Sequence, residues 1–405
     1  VGVIPEDWSE VNITSVARLE SGHTPSRKKP NYWNGAVQWI SLHDTGKLDS
    51  LEIYSTTQTI TEDGLKNSSA RLLPAGTVAF SRTATVGKCC VMARAMATSQ
   101  DFACYVCGPS LNNQFLVYLF RGMDRVWRGL MAGSIHNTIY MPVFKALKIP
   151  LPPVKEQRAI ATALGDMDAL LDGLDRLIAK KRVIKQATMQ QLLTGQTRLP
   201  GFSGAWEIKR LGDLGATYGG LIGKNKADFG TGSAKYVPFI NVIANVQIDC
   251  TAFDAVNVEA AENQNKVAKG DLLFNGSSET PEEVALCSFM AKEVKNLYLN
   301  SFCFGLRIKN PEMIDGLFLA YYIRSPIGRD LMKSLAQGST RYNLSKRALL
   351  EAQLPLPEKE EQTAIATVLS DMDAEITVLE TRRTKTRALK QAMMQELLTG
   401  RTRLV

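Results

Sequence analysis

Residues 159–199 and 364–404 are two copies of one segment, and this duplication constrains the fold more than any local pattern does. The first copy runs from AIATALGDMDA to LLTGQTRL and the second from AIATVLSDMDA to LLTGRTRL; they align without a gap at an offset of 205 and agree at 24 of 41 positions. A repeat dictates architecture before local propensity does, and this period far exceeds the roughly 20–50 residues of solenoid and propeller repeats. The expectation is a pseudo-two-fold molecule made from one polypeptide. A fainter continuation supports it: Trp8 in EDWSEVNITSVARLESG aligns with Trp206 in GAWEIKRLGDLGATYGG at an offset of 198, and Gly133-Ser134 matches Gly338-Ser339 at 205. The intervening region is therefore seven residues longer in the second half, the difference between the two offsets. Between these landmarks the halves hardly resemble each other, which predicts nearly identical scaffold segments and two differently specialised globular parts.

The repeated segment reads as a long helix. Ile160, Leu164, Met167, Leu171, Leu174 and Ile178 follow the alternating four and three spacing of a coiled-coil seam, and Ile365, Leu369, Met372, Ile376 and Leu379 repeat it. Proline precedes each copy, in IPLPPVKEQ and LPLPEKEEQ, and Thr-Gly follows it, so both boundaries are marked. Taken as Glu156 to Leu193, the first helix is a rod of roughly 55 Å at about 1.5 Å per residue. Charge is sorted along each rod. Asp166, Asp168, Asp172 and Asp175 precede Arg176, Lys180, Lys181, Arg182 and Lys185, while Asp371, Asp373, Glu375 and Glu380 precede Arg382, Arg383, Lys385, Arg387 and Lys390. Antiparallel pairing sets acid against base and parallel pairing sets like against like, so an antiparallel pair is expected.

The parts from about 8 to 150 and 206 to 353 read as mixed strand and helix, giving an α+β fold class. GTVAF (76–80), CCVMA (89–93), DFACYVC (101–107), YVPFINVIANVQI (236–248) and GDLLF (270–274) are strand-like. NQFLVYLFRGM and GLFLAYYIRS read as equivalent helices whose aromatic residues are core.

Catalytic chemistry is hard to find. The amino-methyltransferase motif Asn/Asp-Pro-Pro-aromatic, the G-x-x-x-x-G-K-[ST] phosphate loop, H-E-x-x-H and G-x-S-x-G are all missing from the sequence. Gly219-Gly220-Leu221-Ile222-Gly223-Lys224-Asn225 imitates a phosphate loop but has the wrong spacing and no hydroxyl. Cys104-Tyr105-Val106-Cys107 has metal-knuckle spacing, yet strand alternation points its two thiols to opposite faces, so buried thiols and no metal are expected. His23, His43 and His136 are scattered singly. A net charge of +8 over 405 residues permits a polyanionic partner. Seven cysteines, no signal-peptide pattern and no apolar run of about 18 residues fit a cytoplasmic protein without a membrane span. The chain opens at Val1 rather than methionine, which suggests a short leader ahead of the numbered residues.

The run I-P-L-P-P-x-x-E-Q-x-x-I (Ile149 to Ile160), its twin L-P-L-P-x-x-x-E-Q-x-x-I (Leu354 to Ile365), the helices ending in LLTG and the Trp-led segments resemble the specificity subunits of Type I restriction-modification systems. The resemblance covers essentially the whole chain. It implies two target-recognition domains, residues 1–153 and 200–357, held apart by two conserved antiparallel helices, residues 154–199 and 358–405. Each domain would read one half of a split sequence in double-stranded DNA, with unequal domains implying an asymmetric target. A 55 Å rod corresponds to roughly 16 base pairs at about 3.4 Å each, an upper bound on the separation. The resemblance also implies partners: two methyltransferase subunits, which would carry the S-adenosylmethionine, and restriction subunits. This chain itself would be non-catalytic and hold no cofactor.

Polar and basic loops that follow strands are the physical candidates for DNA contact, since Arg and Lys hold phosphates while Arg, Asn, Gln, Ser and Thr read base edges. In the first domain these are Arg27, Lys28, Lys29, Ser81, Arg82, Lys88, Ser134, His136 and Asn137. In the second they are Lys224, Lys226, Asn275, Ser277, Ser278, Ser339, Arg341, Tyr342 and Asn343. Apolar helix positions off the seam are expected to take partner helices: Leu170, Leu177, Ile184 and Met189, with Val378, Leu389, Met393 and Leu397. Two rival classes stay open at this level, a helical adaptor that does not read DNA and a self-contained DNA-modifying enzyme.

Overall fold

The computed structural model describes residues 4–131 and 137–404. The chain divides into two compact units, Val1–Asp175 with Thr381–Val405, and Arg176–Glu380.

In the first unit a five-stranded sheet runs in the order Ala17–Ser21, Phe102–Cys107, Val78–Ser81, Cys89–Met92, Glu52–Ile53. Its last pairing is parallel and the others antiparallel. Both central strands are buried along their whole length, which is why GTVAF and CCVMA are continuously apolar instead of alternating. The helix Asn113–Gly122 buries every residue from Phe115 to Phe120. Asn112 caps it by accepting the Phe115 N–H at 2.8 Å, satisfying one of the free donors of the first turn. The Phe80 ring lies 5.3, 4.8 and 5.2 Å from those of Phe120, Trp127 and Phe144, an aromatic knot in the core. Cys104 belongs to the apolar cluster with Ile40 and Phe102, whereas Cys107 packs against the cluster of Tyr105 and Phe115, so the thiols do face opposite sides. Burial pushes each of them up to about 12. A three-stranded sheet, Gln58–Ile60, Trp33–Ile40 and Ala97–Thr98, completes the unit's main β-structure.

The second unit repeats the plan. Gly215–Gly219, Cys303–Ile308, Leu272–Asn275 and Cys287–Phe289 form the main sheet, and Asp254–Val256, Phe229–Val237 and Leu297–Leu299 the smaller one. The helix Gly316–Arg324, capped by Asp315, buries Phe318 to Ile323. One strand expectation fails here. YVPFINVIANVQI is extended only to Val237; after Pro238 the chain forms the helix Phe239–Ala244. Asn241 is buried there, and its amide donates to the carbonyls of Asp249 and Ala252 at 2.9 and 3.0 Å. A short apolar run carries too little periodicity to distinguish strand from helix, and proline at its head favours the helix start.

Both units close with the same two-stranded ladder. Ser9–Asn12 pairs antiparallel with Lys148–Leu151, and Glu207–Arg210 with Gln353–Leu356. Pro150 and Pro355 are tolerated because each strand pairs on one side only. The next segments are the long helices Val154–Leu192 and Lys359–Leu397. Gly195 and Gly400 follow them at φ +71° and +73°, the left-handed conformation that ends a helix at glycine. The seam residues Ile160, Leu164, Leu171, Leu174, Ile178, Ile365, Leu369 and Ile376 are buried, and Met167, Met372 and Leu379 partly so.

Within each unit the two helices run antiparallel. In the first, Asp168 pairs with Lys390 and Asp175 with Arg383; in the second, Lys181 pairs with Glu375 and Lys185 with Asp373. Residue numbers rise on one helix as they fall on the other, and acid meets base as the charge sorting requires. Two equivalent clusters join helix to globular part. The Tyr118 hydroxyl donates to Asp168 at 2.9 Å and the Tyr321 hydroxyl to Asp373 at 2.8 Å, with Lys390 and Lys185 completing each set. Burial, reinforced by the neighbouring carboxylate, pushes both phenols up, so each hydroxyl keeps its proton and donates. Asp168→Asn is expected to lower stability by about 1–2 kcal/mol, because it removes a charged acceptor from both partners. Urea denaturation measures this, and an unchanged midpoint would show the cluster to be inert.

Candidate nucleic-acid interface

In each unit the central strand of the main sheet runs into a loop that pairs with the segment before a short helix. In the first unit Thr83 bridges Thr138, and the Ile139 N–H donates to the Arg82 carbonyl at 2.9 Å. In the second, Ser277–Ser278 pairs with Tyr342–Asn343, and the Leu344 N–H donates to the Gly276 carbonyl at 3.1 Å. This paired-loop arrangement brings Ser81, Arg82 and Asn137 together in the first unit, and Asn275, Ser277, Ser278, Arg341, Tyr342 and Asn343 in the second. Exposed Ser339 sits in the adjoining turn, where Gly338 takes φ +124°. Ser134 and His136 lie outside the described residues.

Two of the proposed readers are loop braces instead. Ser81 is fully buried, its hydroxyl donating to the Thr83 carbonyl at 3.2 Å and lying 2.9 Å from the Thr85 hydroxyl. Asn275 is 1% exposed; its amide donates to the carbonyls of Ser277 and Glu283 and accepts the Leu286 N–H at 2.6 Å. A side chain whose polar atoms are spent inside the loop is not free to meet a base edge, so both are withdrawn as contacts. Ser277 is also buried, but its hydroxyl accepts from Arg341 Nε and Nη2 at 3.2 and 3.0 Å and so holds an exposed guanidinium in place.

The basic candidates divide by what already holds them. Lys224 is paired with Glu262 and its side chain is only 6% exposed; the bonds from Lys224 and Gln264 hold the Glu262 carboxyl down to about 2. Lys88 is tied to Asp49 at 2.8 Å and to the Thr45 carbonyl. Arg82 spends Nε on the Gln100 carbonyl and Nη1 on that of Ile139. Arg27, Lys28, Lys29, Lys226 and Arg341 are exposed. Arg27 lies 3.7 Å over the Trp33 ring and donates to Gln58 at 2.8 Å, a held cation on an aromatic face. It belongs with the smaller sheet, as do Lys28 and Lys29, and not with the paired loops. Phe302, 59% exposed beside Arg341, escaped sequence reasoning. LYLNSFCFGLRI alternates like any strand, and nothing in it marks which aromatic faces water.

The helix positions proposed for partners also divide. Leu170, Leu177 and Ile184 recur every seven residues on one helix and are 39%, 39% and 40% exposed; Val378 and Leu389 are exposed on the other. Met189 packs against the second unit's core and Met393 against the first's. Leu397 is withdrawn from the docking surface, because it is buried in the cluster of Trp8, Phe115 and Ile160. Among the described residues no helix is long and apolar enough to cross a membrane.

Comparison with known proteins places this architecture. The model of the Type I restriction modification DNA specificity domain matches twice, over residues 5–181 and 204–387. The chain is 26% identical over 231 residues to the Type I restriction enzyme MjaIX specificity subunit of Methanocaldococcus jannaschii, covering 53% of each chain, so about half of that relative's length is spanned. It is 24% identical to the putative MjaX specificity subunit of the same organism, over 100% of this chain and 96% of the relative. The crystal structure of a Type-I restriction-modification system S subunit from M. genitalium shares the fold, with a TM-score of 0.58 at 16% identity, over 98% of this chain and 97% of that one. Matched by its family model in both units and over most of its length, the chain belongs to the Type I restriction-modification DNA specificity domain family.

Proposed function

We propose that this chain is the sequence-reading, non-catalytic subunit of a Type I restriction-modification complex. Each globular part, residues 1–153 and 200–357, reads one portion of a gapped, asymmetric target in double-stranded DNA. The helical segments, 154–199 and 358–405, carry two methyltransferase subunits, which hold the S-adenosylmethionine; restriction subunits join the same cytoplasmic assembly. One observation carries the reading: a common backbone plan presents unlike side chains at the paired loops, with Arg82 and Asn137 in one unit and Arg341, Ser339 and Asn343 in the other. Conserved scaffold and divergent loops are what two readers of different base sequences need, since positioning contacts are generic and base contacts are not. The exposed helix positions Leu170, Leu177 and Ile184 favour docking of a partner helix. The test is long-read mapping of adenine methylation in a host that expresses this chain with its methyltransferase. The expected result is one bipartite, non-palindromic motif, and exchange of residues 206–353 for those of another family member should change one half of it only. A map without any gapped motif would refute the proposal.

A further inference from the structure

The two main sheets carry opposite chemistry at one equivalent backbone position. In the first unit the Arg82 N–H donates to the Asp101 carbonyl at 2.9 Å; in the second the Gly276 N–H donates to the Phe302 carbonyl at 2.9 Å. Asp101 and Phe302 therefore correspond, each just ahead of the strand that pairs with the centre of its sheet. Asp101 is half-buried, its carboxylate accepting the Ser99 hydroxyl at 2.8 Å. Phe302 instead is 59% exposed while its neighbours Cys303 and Phe304 are buried.

The loop that carries the ring is held in place. The Phe302 N–H donates to Asn300 Oδ1 at 2.9 Å, and the Leu221 N–H donates to the Leu299 carbonyl at 2.8 Å. Gly220 passes so close that a Cβ there would stand 2.1 Å from the Asn300 carbonyl oxygen. That contact explains the glycine pair that imitates a phosphate loop: it lets two backbones meet. The Arg341 guanidinium lies 5.7 Å from the Phe302 ring centre and is braced by Ser277. An apolar ring on a rigid loop, flanked by a fixed cation, is complementary to a surface whose backbone is anionic and whose interior is stacked bases.

We propose that Phe302 is a specificity-determining wedge in the second unit. Its ring packs against base edges or a partly unstacked step of duplex DNA, and Arg341 holds the phosphate alongside. The inference rests on the reading of this chain as a DNA-recognition subunit. Apolar side chains discriminate through the thymine methyl or through steps that unstack readily, pyrimidine–purine steps above all. The first unit has Asp101, tied to Ser99, at the corresponding place and no exposed ring there, so the wedge distinguishes the second half-site from the first.

The test uses the chain assembled with its methyltransferase. Methylation is mapped for wild type, Phe302→Ala and Phe302→Tyr, and binding is then measured on duplexes carrying the mapped wild-type motif over a range of salt. Phe302→Ala is expected to lose base preference at one step of one half-site, leave the other half unchanged and bind about tenfold more weakly. Its salt dependence should match wild type, since no phosphate contact is lost, and Phe302→Tyr should restore the motif. Arg341→Gln should weaken binding to all sequences and reduce the salt slope by about one. An alanine variant with wild-type motif and affinity would overturn the wedge alone. A wild-type complex that marks no gapped motif would overturn the DNA reading and the wedge with it.

Discussion

Replacing Leu397 and Leu398 together by alanine is expected to unfold the first unit while the second stays folded. Both residues are buried, at 4% and 5% exposure, in the cluster that contains Trp8, Phe115 and Ile160. Their counterparts Leu192 and Leu193 sit in the second unit's core with Phe318 and Ile365. Each buried leucine truncated to alanine costs about 2–5 kcal/mol, and two of them consume most of a typical domain stability of about 5–15 kcal/mol. Hydrogen exchange gives a local readout. Protection should vanish in Asn113–Gly122 and persist in Gly316–Arg324. Leu389→Ala, at a 55% exposed position on the same helix, should change stability by no more than about 0.5 kcal/mol. Equal effects at Leu389 and Leu397 would contradict the burial on which this rests.

The second large effect is expected at Glu156. This carboxylate is 2% exposed and accepts the Trp8 indole N–H at 2.9 Å, Arg403 Nε at 2.7 Å and Arg403 Nη2 at 2.8 Å. Arg403 also reaches Asp7 through two bonds of 2.7 and 2.6 Å. Glu156→Ala leaves a buried indole N–H unpaired and strips the arginine of its main partner, at a cost of about 3 kcal/mol. Burial pushes the Glu156 carboxyl up, but the bonds from Arg403 and Trp8 outweigh it and hold the group below its ordinary value of 4.5. A depressed folded-state value means that the stabilisation is fully present above pH 4.5 and is lost as pH falls through the lower, folded value. Thermal melts should therefore show a steeper acid decline in wild type than in Glu156→Ala.

The corresponding site in the second unit differs, and that difference is a control. Glu361 accepts Arg198 Nε and Nη2 at 2.6 and 2.5 Å, yet the buried Trp206 indole N–H has no partner among the described residues. Trp8→Phe should cost about 1–2 kcal/mol and Trp206→Phe close to nothing.

The paired motifs around these groups were legible because they are repetitive: Pro-Glu-Gln spacing, the heptad seam, acid before base, and Thr-Gly at the end. Gln157 and Gln362 show what that repetition preserves. Each accepts a backbone N–H at the start of a globular helix, from Asn112 at 2.8 Å and Asp315 at 2.9 Å, and each donates to the proline carbonyl five residues back. The loops were harder to read. Ser81 and Asn275 have the composition of base readers, but their polar atoms close the loop on itself. Lys224 carries a formal charge that Glu262, 38 residues away, cancels. Leu397 shares the exposed-looking period of Leu389 but falls where the helix end enters a core.

Periodicity, charge order and duplication are properties of neighbouring residues, so sequence alone determined the long helices, their antiparallel sense and the two-part plan. Exposure and pairing depend on what the fold brings from afar. Only the tertiary structure decided that Glu156 takes partners at both ends of the chain, that Leu397 is core, and that Phe302 and Arg341 stand together in water. A side chain's neighbours across a sheet or a loop pair are set by packing over long sequence distances, which no local pattern encodes.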